Sequence, residues 1–535
     1  MLHRPFARTA LAALLLSASF AVTQPALAQV IYNRGQEADP ETLDPQKIST
    51  SAEFHIMRDL YEGLIIHDGQ GKVAPGVAES WKASDDGKVF TFTLRANARW
   101  SNGDAVKAGD FVFAWRRAAA PETGAKYTNV LYPVKGLEAA HKGTAGAKLE
   151  DIGIRAIDDR TLEITLNNPT PYFIELLTLP VAGPLHPPSV TQHGTNFVKP
   201  ENKVSNGAFR LREFTPGAQA SLVKNPNFHD AANVKIDQVN FIPIADSAAA
   251  ARRFQAGEIL STVNIPANQI KTLRQQLGAQ VSVTPQLGTW YLTFNTEKAP
   301  FNDARVRRAL SMVLDREFIA DQVWNGSMLP GYSFVPPGTN NYGPQIELSF
   351  KNQSAIDREE AAKKLLAEAG FGPGKPLKVE YRFNMSPENQ ATFVAIADQW
   401  KAIGVETSPI STDGRTHFAF LRDRGAYDVA RAGWIADYND PQNFLFLLES
   451  SAIPGLNYAR WSNPKYDGLM NRAAAETDIA KRAALLGEAE KLLLEEAPYA
   501  PVLFFTNRNL ISPRLMGFTP NPRASNPTRF MSIKG

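Results

Sequence analysis

Residues 427–446 read YDVARAGWIADYNDPQNFLF. Tyr427 to Trp434 alternates as a strand does, with Val429 facing one way and Asp428 and Ala430 the other. Gly433 has no Cβ and lets a backbone or a ligand come close. The run Asp437-Tyr438-Asn439-Asp440-Pro441 reads as a turn, because Pro cannot continue a ladder and Asn and Asp bond their own backbone. Arg431, Trp434 and Asp437 therefore fall where a strand opens into a loop, a place suited to recognition. The carboxylate of Asp437 has two readings. It caps the turn, or it faces a cation that has been closed away from water and needs a charged acceptor beside it.

Outward from this stretch, strand and helix patterns alternate on both sides. Residues 289–310, TWYLTFNTEKAPFNDARVRRAL, begin as a strand with Trp290, Leu292 and Phe294 opposite Tyr291 and Thr293. Asn302-Asp303 then caps a helix from about Ala304. Residues 354–370 form an amphipathic helix in which Glu359 and Glu360 stand four before Lys363 and Lys364. A strand at 376–384, a helix at 387–403 and a last helix at 478–495 before PVLFFTN complete this half. Upstream, 53–67 places Phe54, Met57, Leu60, Tyr61 and Leu64 on one helix face, and 88–100 alternates as a half-buried strand. A helix follows from about Asp110, then a hairpin at 150–168, and strand, helix, strand over 234–265.

The chain has 535 residues, 44% hydrophobic and 21% charged, enough for a large core and several domains. Residues 1–28 carry Arg4 and Arg8, an apolar run from Leu11 to Val22 and Ala26-Leu27-Ala28, the pattern of a secretory leader cleaved before Gln29. Removing those two arginines from a net charge of +3 leaves +1, so no charge-driven affinity for nucleic acid is implied. The sequence has no cysteine, which excludes disulfides, thiolate metal sites and an N-terminal lipid on cysteine. That combination suits an exported protein of the periplasm without a lipid anchor.

Enzyme patterns do not assemble. HExxH and GxSxG are missing, and the eight histidines are scattered. Ser221-Leu222-Val223-Lys224 is an SxxK tetrad without its partner motifs and lies in an apparent strand. Gly370-Phe371-Gly372-Pro373-Gly374-Lys375 resembles a phosphate loop, but Pro376 stands where Ser or Thr should bind magnesium. No cofactor is expected.

The run 78–117, AESWKASDDGKVFTFTLRANARWSNGDAVKAGDFVFAWRR, resembles the signature region of the solute-binding proteins for peptides and nickel, family 5. Residues 289–310 and 427–446 also resemble that family, specifically the periplasmic oligopeptide-binding proteins of peptide ABC importers. The resemblance implies an α/β fold of two lobes around a ligand cleft, the type II periplasmic binding protein, with an extra accessory domain. It divides the chain into a leader (1–28), lobe one (29–52), an accessory domain inserted in it (53–185), lobe one again (186–290), lobe two (291–505) and a C-terminal return (506–535). It implies a short peptide as ligand, a membrane permease with its ATPase subunits as partner, and a monomer.

The resemblance further implies that Asp437 receives the peptide's free ammonium and that Arg431 and Arg422 meet carboxylates. Gly433 and Trp434 would offer a strand edge and an aromatic wall. Glu37 and Tyr127 would touch the peptide. One member of the family carries a tryptophan at the position of Arg415, a lysine near that of Trp324 and a cysteine at that of Ile435. Arg415 thus adds a cation near the expected cleft and Trp324 removes one, which leaves open a carrier of murein tripeptide, whose ligand bears extra carboxylates. For Trp434, core packing is the competing reading; for Arg431 it is an internal ion pair, for example with Asp428. A loop charge competes for Glu37 and Arg422, and a packing role for Tyr127. From other classes, an exported peptide or cell-wall hydrolase and a periplasmic chaperone remain as alternatives.

Overall fold

The structure, a computed structural model, describes Met1, residues 29–453 and residues 455–535. The expected leader at 1–28 lies, Met1 apart, outside the described residues. Among those residues no helix is long and apolar enough to cross a membrane.

Three main sheets carry the fold. In the first, Ile31–Gln36 runs parallel to Gln238–Pro243, which continues antiparallel through Gln219–Lys224 to Phe209–Thr215. The second is antiparallel throughout, in the order Ala78–Ala83, Val89–Leu94, Thr161–Thr165, Ile154–Ala156. Its middle strands alternate in burial, with Phe90, Phe92 and Leu94 inward, as the period-2 pattern of 88–100 requires. These two sheets feed one continuous core, in which Tyr32 and Phe241 of the first meet Phe92, Trp100 and Trp115 around the second.

The third sheet has six strands. Val281–Phe294 lies between Tyr499–Leu510 and Val429–Ile435, both antiparallel to it. Leu377–Asn384 and Val405–Thr412 then continue in parallel. Helices Pro387–Lys401 and Ile479–Glu496 bury Trp400, Leu486 and Leu493 against this sheet's core. The architecture is thus two α/β lobes with an additional antiparallel sheet built onto the first.

The two longest strands join the lobes. Leu287 to Phe294 and Tyr499 to Leu503 belong to the core of the third sheet. At their far ends Val281 and Leu510 pack with Ile244, Phe254, Ile270 and Leu273, beside the first sheet. The pairing register slips between Pro285 and Thr289. That irregularity bends the ribbon where the cleft opens. Residues 290 and 505, the expected crossings, each lie inside one of these strands.

Several elements differ from the expectation. The helix read over 53–67 is Ser51–Leu60, started by a capping box in which Glu53 accepts from Thr50 and Thr50 accepts from Glu53. It stops at Leu60 because the chain turns outward into the short strand Ile65–His67. The last strand of 234–265 is reduced to isolated bridges of Ser261 with Arg34 and Ile511. The helices near 304, 354, 387 and 478 all form, capped by Asp303, Ser354, Ser386 and Asp478.

Candidate functional site

A cavity of about 510 Å³ opens between the lobes, where the joining strands and the C-terminal segment meet. Four of the expected residues line it: Glu37, Tyr127, Ile435 and Asp437. A groove of about 680 Å³ also exists on the accessory sheet, but it is walled by Val112, Phe113, Arg116 and Arg155 and touches neither joining strand. The interlobe cavity collects side chains from both lobes, the accessory region, the joining strands and the C-terminal segment.

Asp437 owes its position to the turn that follows strand Val429–Ile435. Its N–H donates to Asn443 Oδ1 at 2.9 Å, and Trp434 Nε1–H donates to the same oxygen at 3.1 Å. Arg523, from the C-terminal segment, clamps the turn from the other side, donating to the carbonyls of Ala436 at 3.0 Å and Asp437 at 2.5 Å. Tyr438 stacks on Tyr172 of the accessory region with ring centroids 4.9 Å apart. The loop is thereby held from both lobes. Its carboxylate is not: among the described residues neither oxygen accepts a hydrogen bond and no basic side chain forms an ion pair with it. Burial pushes its pKa up to about 6, with Arg523 opposing.

Asn443 is buried at 2% exposure and serves two donors with one oxygen. Asn443→Ala leaves both N–H groups without a partner and is expected to cost about 1–3 kcal/mol. Thermal unfolding of the variant measures this, and a melting temperature equal to wild type would show the contacts to be idle.

The remaining expected residues distribute otherwise. Trp434 packs edge-on against Phe446 and belongs to the lobe's apolar wall. Gly433 is covered by Phe505, whose ring would meet an added Cβ at 3.1 Å. Arg431 lies deeper along the strand, over the Trp290 ring at 5.5 Å, and donates to Asn384 Oδ1 at 3.0 Å. It has no ion pair with Asp428, which binds Lys298 instead. Burial lowers the Arg431 guanidinium to about 10, against small opposing effects from Tyr381 and Tyr291. Arg415 and Arg422 are not brought to the cavity. Both are exposed on helix Gly414–Arg422, since its buried stripe is made by His417 and Leu421 and turns these residues outward.

Residues not singled out from sequence fill much of the wall: Arg34, His55, Arg58, Phe505, Arg508 and Arg523. Trp324 also lines it and donates Nε1–H to Thr392 Oγ1 at 3.0 Å, so an apolar face stands at that point. Arg58 was legible as a basic residue on an otherwise apolar helix face. Arg508 and Arg523 carried no local signal, because their place depends on how the C-terminal segment returns across the cleft.

Known proteins share the sequence pattern and the fold. The model of bacterial extracellular solute-binding proteins, family 5 Middle, matches residues 72–455. A periplasmic oligopeptide-binding protein of Salmonella typhimurium is 38% identical over 494 residues, covering 92% of this chain and 89% of its own. Among solved structures, a periplasmic murein tripeptide binding protein in an unliganded open form superposes with a TM-score of 0.83 at 36% identity, covering 95% of this chain and 98% of its own. The Haemophilus influenzae oligopeptide-binding protein in complex with RPPGFSPFR superposes with a TM-score of 0.78 at 32% identity, covering 95% and 99%.

Proposed function

The chain belongs to family 5 of the bacterial extracellular solute-binding proteins, and from that premise we propose that it captures short peptides by their amino end on Asp437. The observation that carries this is the carboxylate itself: buried enough for its pKa to rise to about 6, and without a protein donor among the described residues. A half-buried anion without a protein donor gains from a partner, and an ammonium with three N–H donors is one. Beyond Ala430, strand Val429–Ile435 pairs only with Val281–Phe294, and its other side would offer backbone groups to the peptide, which gives affinity with little dependence on side chains. Arg431, half-buried and with its side chain bonded only to the Asn384 amide, is a receiver for a carboxylate that reaches it. Arg415 and Arg422 are not part of the reading.

The protein acts in the periplasm of its cell, after cleavage near Ala28, as a monomer without a lipid anchor. It delivers its peptide to a membrane permease driven by ATPase subunits, and carries out no chemistry on the ligand. Closure of lobe two (291–505) onto lobe one (29–52, 186–290, 506–535) and the accessory domain (53–185) would encase the peptide by bending the two joining strands.

Native mass spectrometry of protein purified from periplasm is the direct test. A ladder of added masses matching mixed short peptides is expected, and N-acetylated peptides should fail to replace them. A single retained species would instead favour a dedicated ligand such as a murein tripeptide. Equal exchange by acetylated and free-amine peptides would overturn the ammonium site.

A further inference from the structure

We propose, resting on the peptide reading above, that the cavity selects acidic peptides, with Arg58 and Arg508 receiving a ligand carboxylate additional to the one every peptide carries. The cavity wall holds four guanidinium groups, Arg34, Arg58, Arg508 and Arg523, against two carboxylates, Glu37 and Asp437. Two of the four are already engaged. Arg34 donates to the Asn526 carbonyl at 3.0 Å, and Arg523 clamps the Asp437 turn.

Arg58 and Arg508 are different. Neither makes a hydrogen bond or an ion pair through its side chain among the described residues. The Nε of Arg58 is closed off from solvent and has no partner. The acids beside it in sequence do not pair with it: Asp59 accepts from Thr528 N–H at 2.8 Å through one oxygen and leaves the other without a partner, and Glu62 binds both His229 and Arg529. Burial, together with Arg523 and Arg34, lowers Arg58 to about 9. Arg508 is likewise lowered by burial, with Glu388 opposing from beyond ion-pair reach. Both are half-buried in the cavity wall, and a guanidinium that gives up water there without gaining an acceptor is costly. Each planar guanidinium matches a carboxylate in two-point geometry.

The positions also separate the charges. Asp437 stands on the second lobe, Arg58 on helix Ser51–Leu60 of the first side, and Arg508 on a joining strand. A neutral tripeptide brings one ammonium and one carboxylate, which leaves one of the two guanidiniums unmatched. A glutamate or aspartate side chain supplies the missing anion. A lysine side chain adds a cation to a wall that is already net positive.

Titration calorimetry with Ala-Ala-Ala, Ala-Glu-Ala and Ala-Lys-Ala on the wild-type protein tests this without any variant. Ala-Glu-Ala is expected to bind at least about tenfold tighter than Ala-Ala-Ala, with Ala-Lys-Ala weakest. The Arg58→Gln, Arg508→Gln double variant should bring the ratio of the first two close to one, whereas Arg415→Gln, which is outside the cavity, should keep it. Circular dichroism checks that each variant is folded. Equal affinities in the wild type, or a ratio that survives the double substitution, would overturn the acidic preference while leaving a peptide carrier. Failure of all three peptides to bind would overturn the peptide reading itself.

Discussion

Asp437→Ala weakens binding of a free-amine tripeptide by about 100-fold or more, the scale of removing one partner of a desolvated ion pair. The size follows from what surrounds the group. Its oxygens have no protein donor among the described residues, so a bound ammonium would be their principal partner. The turn that carries it is fixed by Asn443 and Arg523 through backbone atoms, and these contacts survive the substitution. The variant therefore loses the charge and keeps the loop.

The same group makes binding depend on pH, and the sign is fixed by its raised pKa of about 6. Below that value the free protein holds Asp437 protonated, and an ammonium ligand must displace the proton. Affinity is then lost as pH falls through 6, by about tenfold per unit once protonation is complete. The ligand's own amine, with an ordinary pKa of about 8, stays charged over this range. His55 does not contribute, because burial, Arg34 and Arg58 hold its pKa well below the usual imidazole range. Glu37 faces the same cavity, and burial raises it too, so Asp437→Asn is the control. Calorimetry from pH 5 to 8 should show the slope in wild type and its disappearance in Asp437→Asn. A threefold or smaller effect of Asp437→Ala, with no pH slope, would mean that the carboxylate serves only the turn.

Much of the frame was legible because local rules and tertiary packing agree in it. Helix starts at Asp303, Ser354, Ser386 and Asp478 are marked by side chains that cap their own backbone. The strand around Phe92 alternates because one face of it is covered, whereas Leu287 to Phe294 around Trp290 are buried on both faces. The candidate cavity was legible in its strand-to-loop part and, through the family resemblance, at Glu37 and Tyr127. Asp437 and Ile435 lie where the pattern changes from ladder to turn, and both reach the cavity. Arg431, Gly433 and Trp434 belong to the same strand but are claimed by the core, by Phe505 and by Asn443.

Arg415 and Arg422 lie outside the cavity for a different reason. A helix of nine residues turns its faces by sequence spacing, and the buried stripe at His417 and Leu421 sends both arginines to solvent. The converse holds for Arg508 and Arg523. They reach the cavity because residues far apart in sequence, near 285 and 505, pair across the lobes. No window of sequence contains that pairing. The charge balance of the cavity is thus a property of topology rather than of any motif.

Asp440→Ala is expected to destabilise the protein by about 3–5 kcal/mol, the range for breaking a buried ion pair by removing one partner. Asp440 has no exposure, and its two oxygens accept from Arg482 at 2.7 and 2.9 Å. One of them also accepts the Gln442 N–H at 3.0 Å and so starts the helix Gln442–Leu445. Arg482 needs this anion for a further reason. It sits in the first turn of helix Ile479–Glu496, where the helix dipole disfavours a cation. Its side chain is shut between that helix and the Tyr172 ring, 5.5 Å away. Alanine at 440 leaves the guanidinium buried without a counter-charge. Asp440→Asn keeps the shape and removes the charge, so most of the loss should remain. Arg482→Met combined with Asp440→Leu removes both charges and should recover much of it, because well-packed apolar pairs are often as stable as the ions they replace. Thermal or chemical unfolding of the three variants measures these differences. A loss under about 1 kcal/mol in Asp440→Ala would show that water or a neighbouring group satisfies Arg482. Because Tyr438 and Asp437 stand on the same turn, the loosened variant should also bind peptide more weakly while keeping its dependence on a free amine. That pattern would separate a loop that positions the carboxylate from the carboxylate that binds.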